Sequence, residues 1–176
     1  GRHAFCDETW AINALGDVYQ CDRIFHMDDV RIQQIRADAR PESNIAKMLA
    51  FLKKTGTPVI TSRAHPDYPK LEEFPLAEVV TKFPMAYFNS TAAYAVAYAL
   101  NMNVTRISCW GMDFTYPSSH DAEKGRACVE FWLGMAAERG VEITLPKTTS
   151  LMDAMYSQPQ RFYGYDTQEL EFTRGQ

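Results

Sequence analysis

Several signals that identify common protein classes are missing from this 176-residue sequence. It contains no Walker loop, no GxSxG elbow, no HExxH motif and no GxGxxG fingerprint, which argues against a P-loop kinase, a serine hydrolase and a zincin. No apolar run approaches the roughly 20 residues that a bilayer-spanning helix needs, and no signal-peptide segment is recognisable. The sequence therefore predicts a protein without a membrane span.

Positive charge and metal-binding patterns are scarce as well. The 18 Lys and Arg residues are outnumbered by 22 Asp and Glu residues, and the net charge of −4 argues against a nucleic-acid binder by bulk electrostatics. The four cysteines show no CxxC or Cys/His metal spacing, and Cys109 and Cys128 stand in the apolar surroundings typical of reduced core residues. From these absences we predict a cytoplasmic protein and assign no metal-ligating residues, while the use of a divalent metal stays open.

What the sequence does contain is an alternation of short apolar runs and helical patterns. Strands are predicted at 8–15, 21–28, 57–62, 86–88, 104–112 and 141–146, and helices at 31–39, 43–56, 90–103, 121–139 and 150–155. Residues 63–85 carry four prolines and are predicted to be mostly irregular, as a lid, a binding loop or an oligomer contact. The pattern predicts a single doubly wound α/β domain, Rossmann-like, whose mostly parallel sheet has helices on both faces.

The stretch 104–120 carries the most chemistry. Its first half is an apolar, β-branched run predicted to be a buried strand, which breaks at Gly111 and is followed by Asp113, Tyr116 and His120. Asp113 can bind a sugar hydroxyl or a metal, or simply cap a turn. Tyr116 can contact a leaving phosphate or only pack. His120 lies at the mouth of the next helix, where an imidazole tends to be neutral, so it can act as a general base or be structural.

Further candidates lie at other predicted strand and helix ends. Ser90 and Thr91 open an Ala-rich helix, where free N–H groups bind phosphate, although ordinary capping explains them equally well. Asn13 closes the first strand and can contact a base or ribose edge, or form a turn. Asp28 and Asp29 are either a metal pair or a solvated helix start. Ser118 and Ser119 fit a helix cap.

The proline-rich segment also carries candidate binding groups. Arg63 and His65, with Asp67 and Lys70, are predicted to contact an acceptor. The aromatic tail is more apolar than a free terminus needs, which indicates either a homo-oligomer contact or core packing. It comprises Tyr156, Phe162, Tyr163 and Tyr165.

The segment NSTAAYAVAYALNMNVTRISCWGMDF resembles the helix–strand core of the bacterial lipooligosaccharide sialyltransferases and of related proteins that include an archaeal pterin pyrophosphokinase. In those families an Ala-rich helix leads into a strand ending in Gly-hydrophobic-Asp-Phe. The segment TWAINAL…DRIFHMDD resembles their second and third strands, and small phage-encoded proteins are similar. The resemblance covers most of residues 8–146, with its specific part near 111–114.

The resemblance implies transfer from a nucleotide-activated donor. His120 matches the family's general base, and Tyr116 lies one residue later than the tyrosine that stabilises the leaving phosphate. The resemblance places Asn13, Ser90 and Thr91 on the nucleotide side, and we also predict Asp28, Gly111 and Asp113 to be nucleotide-binding residues. The family's N-terminal strand and Gly-Pro-Ser phosphate loop do not occur in this sequence, and only a few residues separate Phe114 from His120, where the family has a longer lid.

We therefore expect a glycosyltransferase that moves a sugar from a CMP- or UDP-linked donor to an acceptor hydroxyl, in a glycan or in a modified base of nucleic acid. Two alternatives keep the fold. One is an ATP-dependent pyrophosphokinase-like transferase that requires a divalent metal. The other is a non-catalytic nucleotide-binding or scaffold protein.

Overall fold

The computed structural model describes residues 5–115, 117–156 and 163–164. The chain divides into two compact units, Gly1–Met102 and Asn103–Gln176. No helix in the described part of the chain is long and apolar enough to cross a membrane. All four cysteines are free, and Cys109 and Cys128 are buried as predicted. Burial raises the pKa of the Cys109 thiol to about 11.

The first unit contains a four-stranded parallel sheet whose strand order follows the chain. Its strands are β1 (Trp10–Ile12), β2 (Arg23–Phe25), β3 (Val59–Thr61) and β4 (Leu71–Glu73). The predicted strands at 8–15, 21–28 and 57–62 contain β1 to β3, which are shorter than the apolar runs. The α/β class with parallel strands is therefore confirmed.

The helices of the first unit begin at capping residues that the sequence displays. They are α1 (Val30–Ala39), α2 (Asn44–Leu52), α3 (Leu76–Lys82) and α4 (Thr91–Asn101). The side chains of Asp29, Ser43 and Ser90 accept hydrogen bonds from backbone N–H groups in the first turns of α1, α2 and α4. The helix predicted at 43–56 is shorter than expected, since α2 ends at Leu52.

Helices cover both faces of this sheet. Ile24 of β2 and Val59 of β3 are fully buried in one cluster with apolar residues of α1 and α2. The next residue of β2, Phe25, points to the opposite face because side chains alternate along a strand. Its ring centroid lies 5.5 Å from that of Tyr98 on α4.

The second unit contains a parallel pair of strands and the longest helix. The pair consists of β5 (Arg106–Ser108) and β6 (Glu142–Thr144), joined through α5 (Ser119–Glu138). Ser118 caps α5, and Gly140 follows the helix with a φ of 75°, which favours glycine. Trp132 and Leu133 of α5 are completely buried.

Residues 63–85 are mostly irregular as predicted, although they also contain β4 and α3. Three other predictions about these elements are wrong. Residues 86–88 are not a strand. The strand predicted to be buried at 104–112 is the short β5, in which Arg106 and Ser108 are exposed because their polar side chains face outward from a two-stranded sheet. The described strands form two sheets instead of one.

The structure describes part of the aromatic tail. Tyr156 and Tyr163 are exposed, while Phe162 and Tyr165 lie outside the described residues. Its role as an oligomer contact stays a prediction.

Candidate functional site

The face of the first sheet that packs against α1 and α2 is built in layers across the strands. Strand register pairs Ala11 with Ile24, Ile24 with Val59, and Val59 with Leu71. Paired residues in a parallel sheet point to the same face, so these four apolar side chains form one continuous layer. All four are buried.

Two residues further along each strand, the same register produces a polar layer. It consists of Asn13, His26, Thr61 and Glu73, which we call the polar row. Thr61 pairs with Glu73 directly, and the His26 backbone N–H donates to the Ile60 carbonyl at 2.8 Å, which extends the β2–β3 ladder to His26. The polar row lies at the carboxyl end of the strands, where open α/β sheets bind their ligands.

His26 is the centre of the polar row and is completely buried. Its Nδ1 lies 3.1 Å from Asn13 Oδ1, and its Nε2 lies 2.9 Å from Gln33 Oε1 on α1. Burial lowers the pKa of His26, against the opposing influence of the Asp28 carboxylate. A neutral imidazole has only one N–H, so both contacts are satisfied only when one of the two amides turns its nitrogen towards the ring.

Asn13 connects β1 to a 3-10 helix, Asn13–Asp17. Its φ of 52° lies in the left-handed region, which Asn tolerates better than most residues because its short side chain bonds locally. The backbone turn and the contact with His26 together fix a half-buried amide at the end of β1. The sequence prediction of a turn at Asn13 is confirmed, and its nucleotide contact stays a prediction.

Thr61 contributes a hydroxyl that has no hydrogen-bond partner among the described residues, although the side chain is completely buried. Burying a polar group without a hydrogen-bond partner costs about 1–3 kcal/mol of stability. The Thr61 hydroxyl therefore does not stabilise the packed sheet. Its neighbour in the row is better satisfied, since Glu73 Oε1 accepts a hydrogen bond from the Ala64 N–H at 3.1 Å.

The predicted acceptor residues follow β3. His65 Nδ1 accepts a hydrogen bond from the Asp67 N–H at 3.2 Å, which leaves Nε2 as the ring donor when the imidazole is neutral. His65 borders an open pocket of about 250 Å³, whose other lining residues are Val30, Arg31, Gln34, Ile35, Asp67 and Tyr68. Arg63 is exposed and is not among the lining residues.

Asp28 and Asp29 follow β2. Asp29 caps α1 and forms a short ion pair with Arg31, which, with a smaller contribution from Arg63, lowers the pKa of Asp29 to about 2. No group of three or more His, Cys, Asp or Glu side chains that could hold a metal occurs in the described ranges. The interpretation of Asp29 as a helix start is confirmed.

Ser90 and Thr91 open α4. The Ser90 hydroxyl accepts a hydrogen bond from the Ala93 N–H at 3.3 Å, so the capping interpretation is confirmed. Phosphate binding at this helix end stays a prediction. The strand expected just before it, at 86–88, is absent from the structure, so α4 does not follow a strand directly.

The second unit holds the predicted catalytic group. Gly111 follows β5 with a φ of 68°, and the exposed Asp113 accepts a hydrogen bond at its backbone oxygen from the Ser150 hydroxyl at 2.7 Å. His120 is exposed at the second position of α5, and its imidazole makes no hydrogen bond or ion pair within the part of the chain that the structure describes. Tyr116 lies outside the described residues.

The sequence interpretation placed Asn13, Asp28, Arg63 and His65 after three neighbouring strands, and the structure does pair those strands. It missed His26, Gln33 and Thr61. A histidine inside the apolar run IFHM, and a polar residue at the end of TPVIT, were the signals that pointed to them.

The free energy of unfolding is expected to fall as the pH is lowered through the histidine range. Because the folded state lowers the pKa of His26, the unfolded chain takes up this proton first, and stability is lost below about pH 6.5 by at most about 1.4 kcal/mol per pH unit. Urea denaturation between about pH 5 and pH 8 measures the slope. His26→Asn should flatten it, and an unchanged slope would contradict the assignment.

Comparison with known proteins gives no further assignment: the chain matches no protein-family model, no curated protein and no solved structure.

Proposed function

We propose that this protein is a glycosyltransferase that moves a sugar from a CMP- or UDP-linked donor to an acceptor hydroxyl. The observation that carries the proposal is the polar row at the carboxyl end of the parallel sheet. Apolar side chains fill the layer before it, and at the strand ends the half-buried Asn13 offers an amide and the exposed Glu73 a carboxylate. Sheets of this kind bind nucleotides at that end.

The chemistry of the polar row favours a hydroxyl-rich or amide-bearing ligand. Asn13 is half-buried, and its side-chain amide contacts the buried ring of His26. An amide presents a donor and an acceptor in one plane, which suits the edge of a pyrimidine or the hydroxyls of ribose. Asp28, which follows β2, is assigned to the same ligand, and the N–H groups at the start of α4, at Ser90 and Thr91, to a phosphate.

Proton abstraction is assigned to His120. The imidazole takes the proton of the acceptor hydroxyl while the acceptor oxygen forms a bond to the anomeric carbon of the sugar. The bond from that carbon to the phosphate oxygen breaks, and the nucleotide leaves with the electron pair. A general base needs an accessible lone pair, and His120 is exposed and makes no side-chain hydrogen bond in the described part of the chain. Tyr116 is assigned to the leaving phosphate by resemblance alone.

A donor panel tests the proposal. CMP-linked and UDP-linked sugars are incubated with the protein, and the released CMP or UDP is quantified by chromatography, with ATP included as a further substrate. We expect one donor class to be hydrolysed, and Asn13→Ala to raise its KM by about tenfold, the value of roughly one lost hydrogen bond. Asn44→Ala is the matched control, because Asn44 is an exposed asparagine on α2.

The outcomes separate the hypotheses. If no nucleotide-sugar is turned over or bound, the glycosyltransferase proposal is wrong. Release of AMP from ATP with a strict requirement for Mg²⁺ identifies a pyrophosphokinase-like transferase instead. Binding of CMP or UDP without turnover of any donor identifies a non-catalytic nucleotide-binding protein.

A further inference from the structure

The buried imidazole of His26 contacts two amides from different elements. Asn13 Oδ1 lies 3.1 Å from Nδ1, and Gln33 Oε1 lies 2.9 Å from Nε2. Gln33 is itself buried on α1, while Asn13 is half-buried at the end of β1. The ring therefore connects a buried amide on α1 to an amide that reaches the ligand-binding end of the sheet.

The position of the single imidazole proton decides which edge of Asn13 remains available. When Nδ1 carries the proton, it donates to Asn13 Oδ1, and the Asn13 –NH₂ group is left to donate to a ligand. When Nε2 carries it, Nδ1 accepts from Asn13, and the Asn13 oxygen is left to accept. The structure places an amide oxygen at both ring nitrogens, Asn13 Oδ1 at Nδ1 and Gln33 Oε1 at Nε2. A neutral ring is satisfied when Asn13 keeps this orientation and Gln33 turns its nitrogen to Nε2, which is the first arrangement, or when Gln33 keeps its orientation and Asn13 turns, which is the second.

We infer that His26 is a positioning residue whose Nδ1–H holds the Asn13 carbonyl and so presents the Asn13 –NH₂ group as a donor to a hydrogen-bond acceptor of the ligand. This inference rests on the proposed nucleotide site and names one of its specificity elements. The acceptors that such a donor recognises in a pyrimidine nucleotide are the ring carbonyl oxygens, the unprotonated ring nitrogen of cytosine and the ribose oxygens. His26 itself does not touch the ligand, because it is completely buried.

Two conservative replacements separate positioning from core filling. Asn places an amide near the position of Nδ1, so His26→Asn can still donate to Asn13. Gln places its amide near the position of Nε2, so His26→Gln keeps the contact with Gln33 and loses the one with Asn13. A residue that only filled space would respond to both changes in the same way.

The experiment measures the dissociation constants of CMP and UDP by calorimetry for the wild type, both His26 variants, Asn13→Ala and the double variant His26→Gln/Asn13→Ala. We expect His26→Gln and Asn13→Ala each to weaken binding by about tenfold, His26→Asn by less than about threefold, and the double variant by about tenfold instead of a hundredfold, because both changes remove one contact. Additive losses, or equal losses for Asn and Gln at position 26, would overturn the inference.

A measurement on the wild type keeps the inference testable if a variant fails to fold. The ¹⁵N shifts of the His26 ring report its tautomer, and we expect a protonated Nδ1 and an unprotonated Nε2 at about pH 7. The opposite pattern overturns the inference while leaving the proposed function in place. A wild type that binds neither CMP nor UDP overturns the proposed function and, with it, the assignment of a nucleotide to Asn13.

Discussion

Replacement of His120 by alanine is expected to lower kcat by about 10²- to 10⁴-fold with little change in KM, the usual effect of removing a general base. The side chain projects from the first turn of α5, is exposed and has no hydrogen-bond partner in the described residues. Its removal therefore deletes a reactive group without breaking a contact. The Ser118 cap, whose hydroxyl accepts from the Asp121 N–H at 3.3 Å, stays in place, so α5 should begin at the same residue.

The measurement is steady-state turnover of the donor that the panel identifies, with added imidazole as a second condition. Free imidazole should partly restore the activity of His120→Ala, because it can take the proton in solution. Lys124→Ala is the control, since it removes an exposed basic side chain one turn further along α5. Equal kcat values for the wild type and His120→Ala would contradict the assignment of His120 as the general base.

Replacement of Phe25 by alanine is expected to reduce the free energy of unfolding by about 3–5 kcal/mol. Phe25 is completely buried in the second strand of the sheet, with ring centroids 5.1 Å from Trp10 and 5.5 Å from Tyr98. The substitution removes the apolar area of a phenyl ring, leaves a cavity between the sheet and α4, and deletes two aromatic contacts. Phe25→Leu, which retains most of the volume, should cost less than half as much.

Urea unfolding followed by Trp fluorescence and by circular dichroism measures this loss, and Trp10 reports directly on the neighbourhood of Phe25. Phe5→Ala is the matched control, because 72% of Phe5 is exposed and its removal should change stability by less than about 0.5 kcal/mol. If both substitutions cost the same, Phe25 does not occupy the core of this sheet.

Local signals in the sequence predicted the elements that local interactions determine. Ser43, Ser90 and Ser118 occupy N-cap positions because their hydroxyls satisfy free N–H groups within the same turn. The apolar runs around β1 to β3 located those strands because each strand buries apolar side chains of its own: Ala11 in β1, Ile24 and Phe25 in β2, and Val59 and Ile60 in β3. These features require no knowledge of distant residues.

In the segment 63–85, composition predicted the irregular part and missed the regular one. Four prolines indicated a mostly irregular chain, which is confirmed, and α3 nevertheless runs from Leu76 to Lys82 between Pro75 and Pro84. Proline breaks a helix from within but is tolerated at its start, so prolines that flank a segment do not prevent it from being helical. β4 has only three residues, of which Leu71 alone is buried, and so shows no alternation.

The polar row could not be predicted from the sequence because it depends on register. Asn13, His26, Thr61 and Glu73 are distant from one another in the chain, and each taken alone resembles a turn or strand-end residue. They become one layer only when three strand pairings align them. Register follows from the packing of the apolar layer below, which is a tertiary interaction.

The strand order of the first sheet also bears on how the chain folds. Each of the four strands pairs with the strand that precedes or follows it in the sequence, so the sheet forms without a pairing that skips over another strand. Among the paired strands of this sheet, β2 and β3 are the farthest apart in the sequence, with Ile24 paired to Val59. The helices α1 and α2 lie between them. Because loop-closure entropy rises with separation and slows non-local pairing, we expect this sheet to grow by successive addition of strands, with the pairing of β2 and β3 as its slowest step.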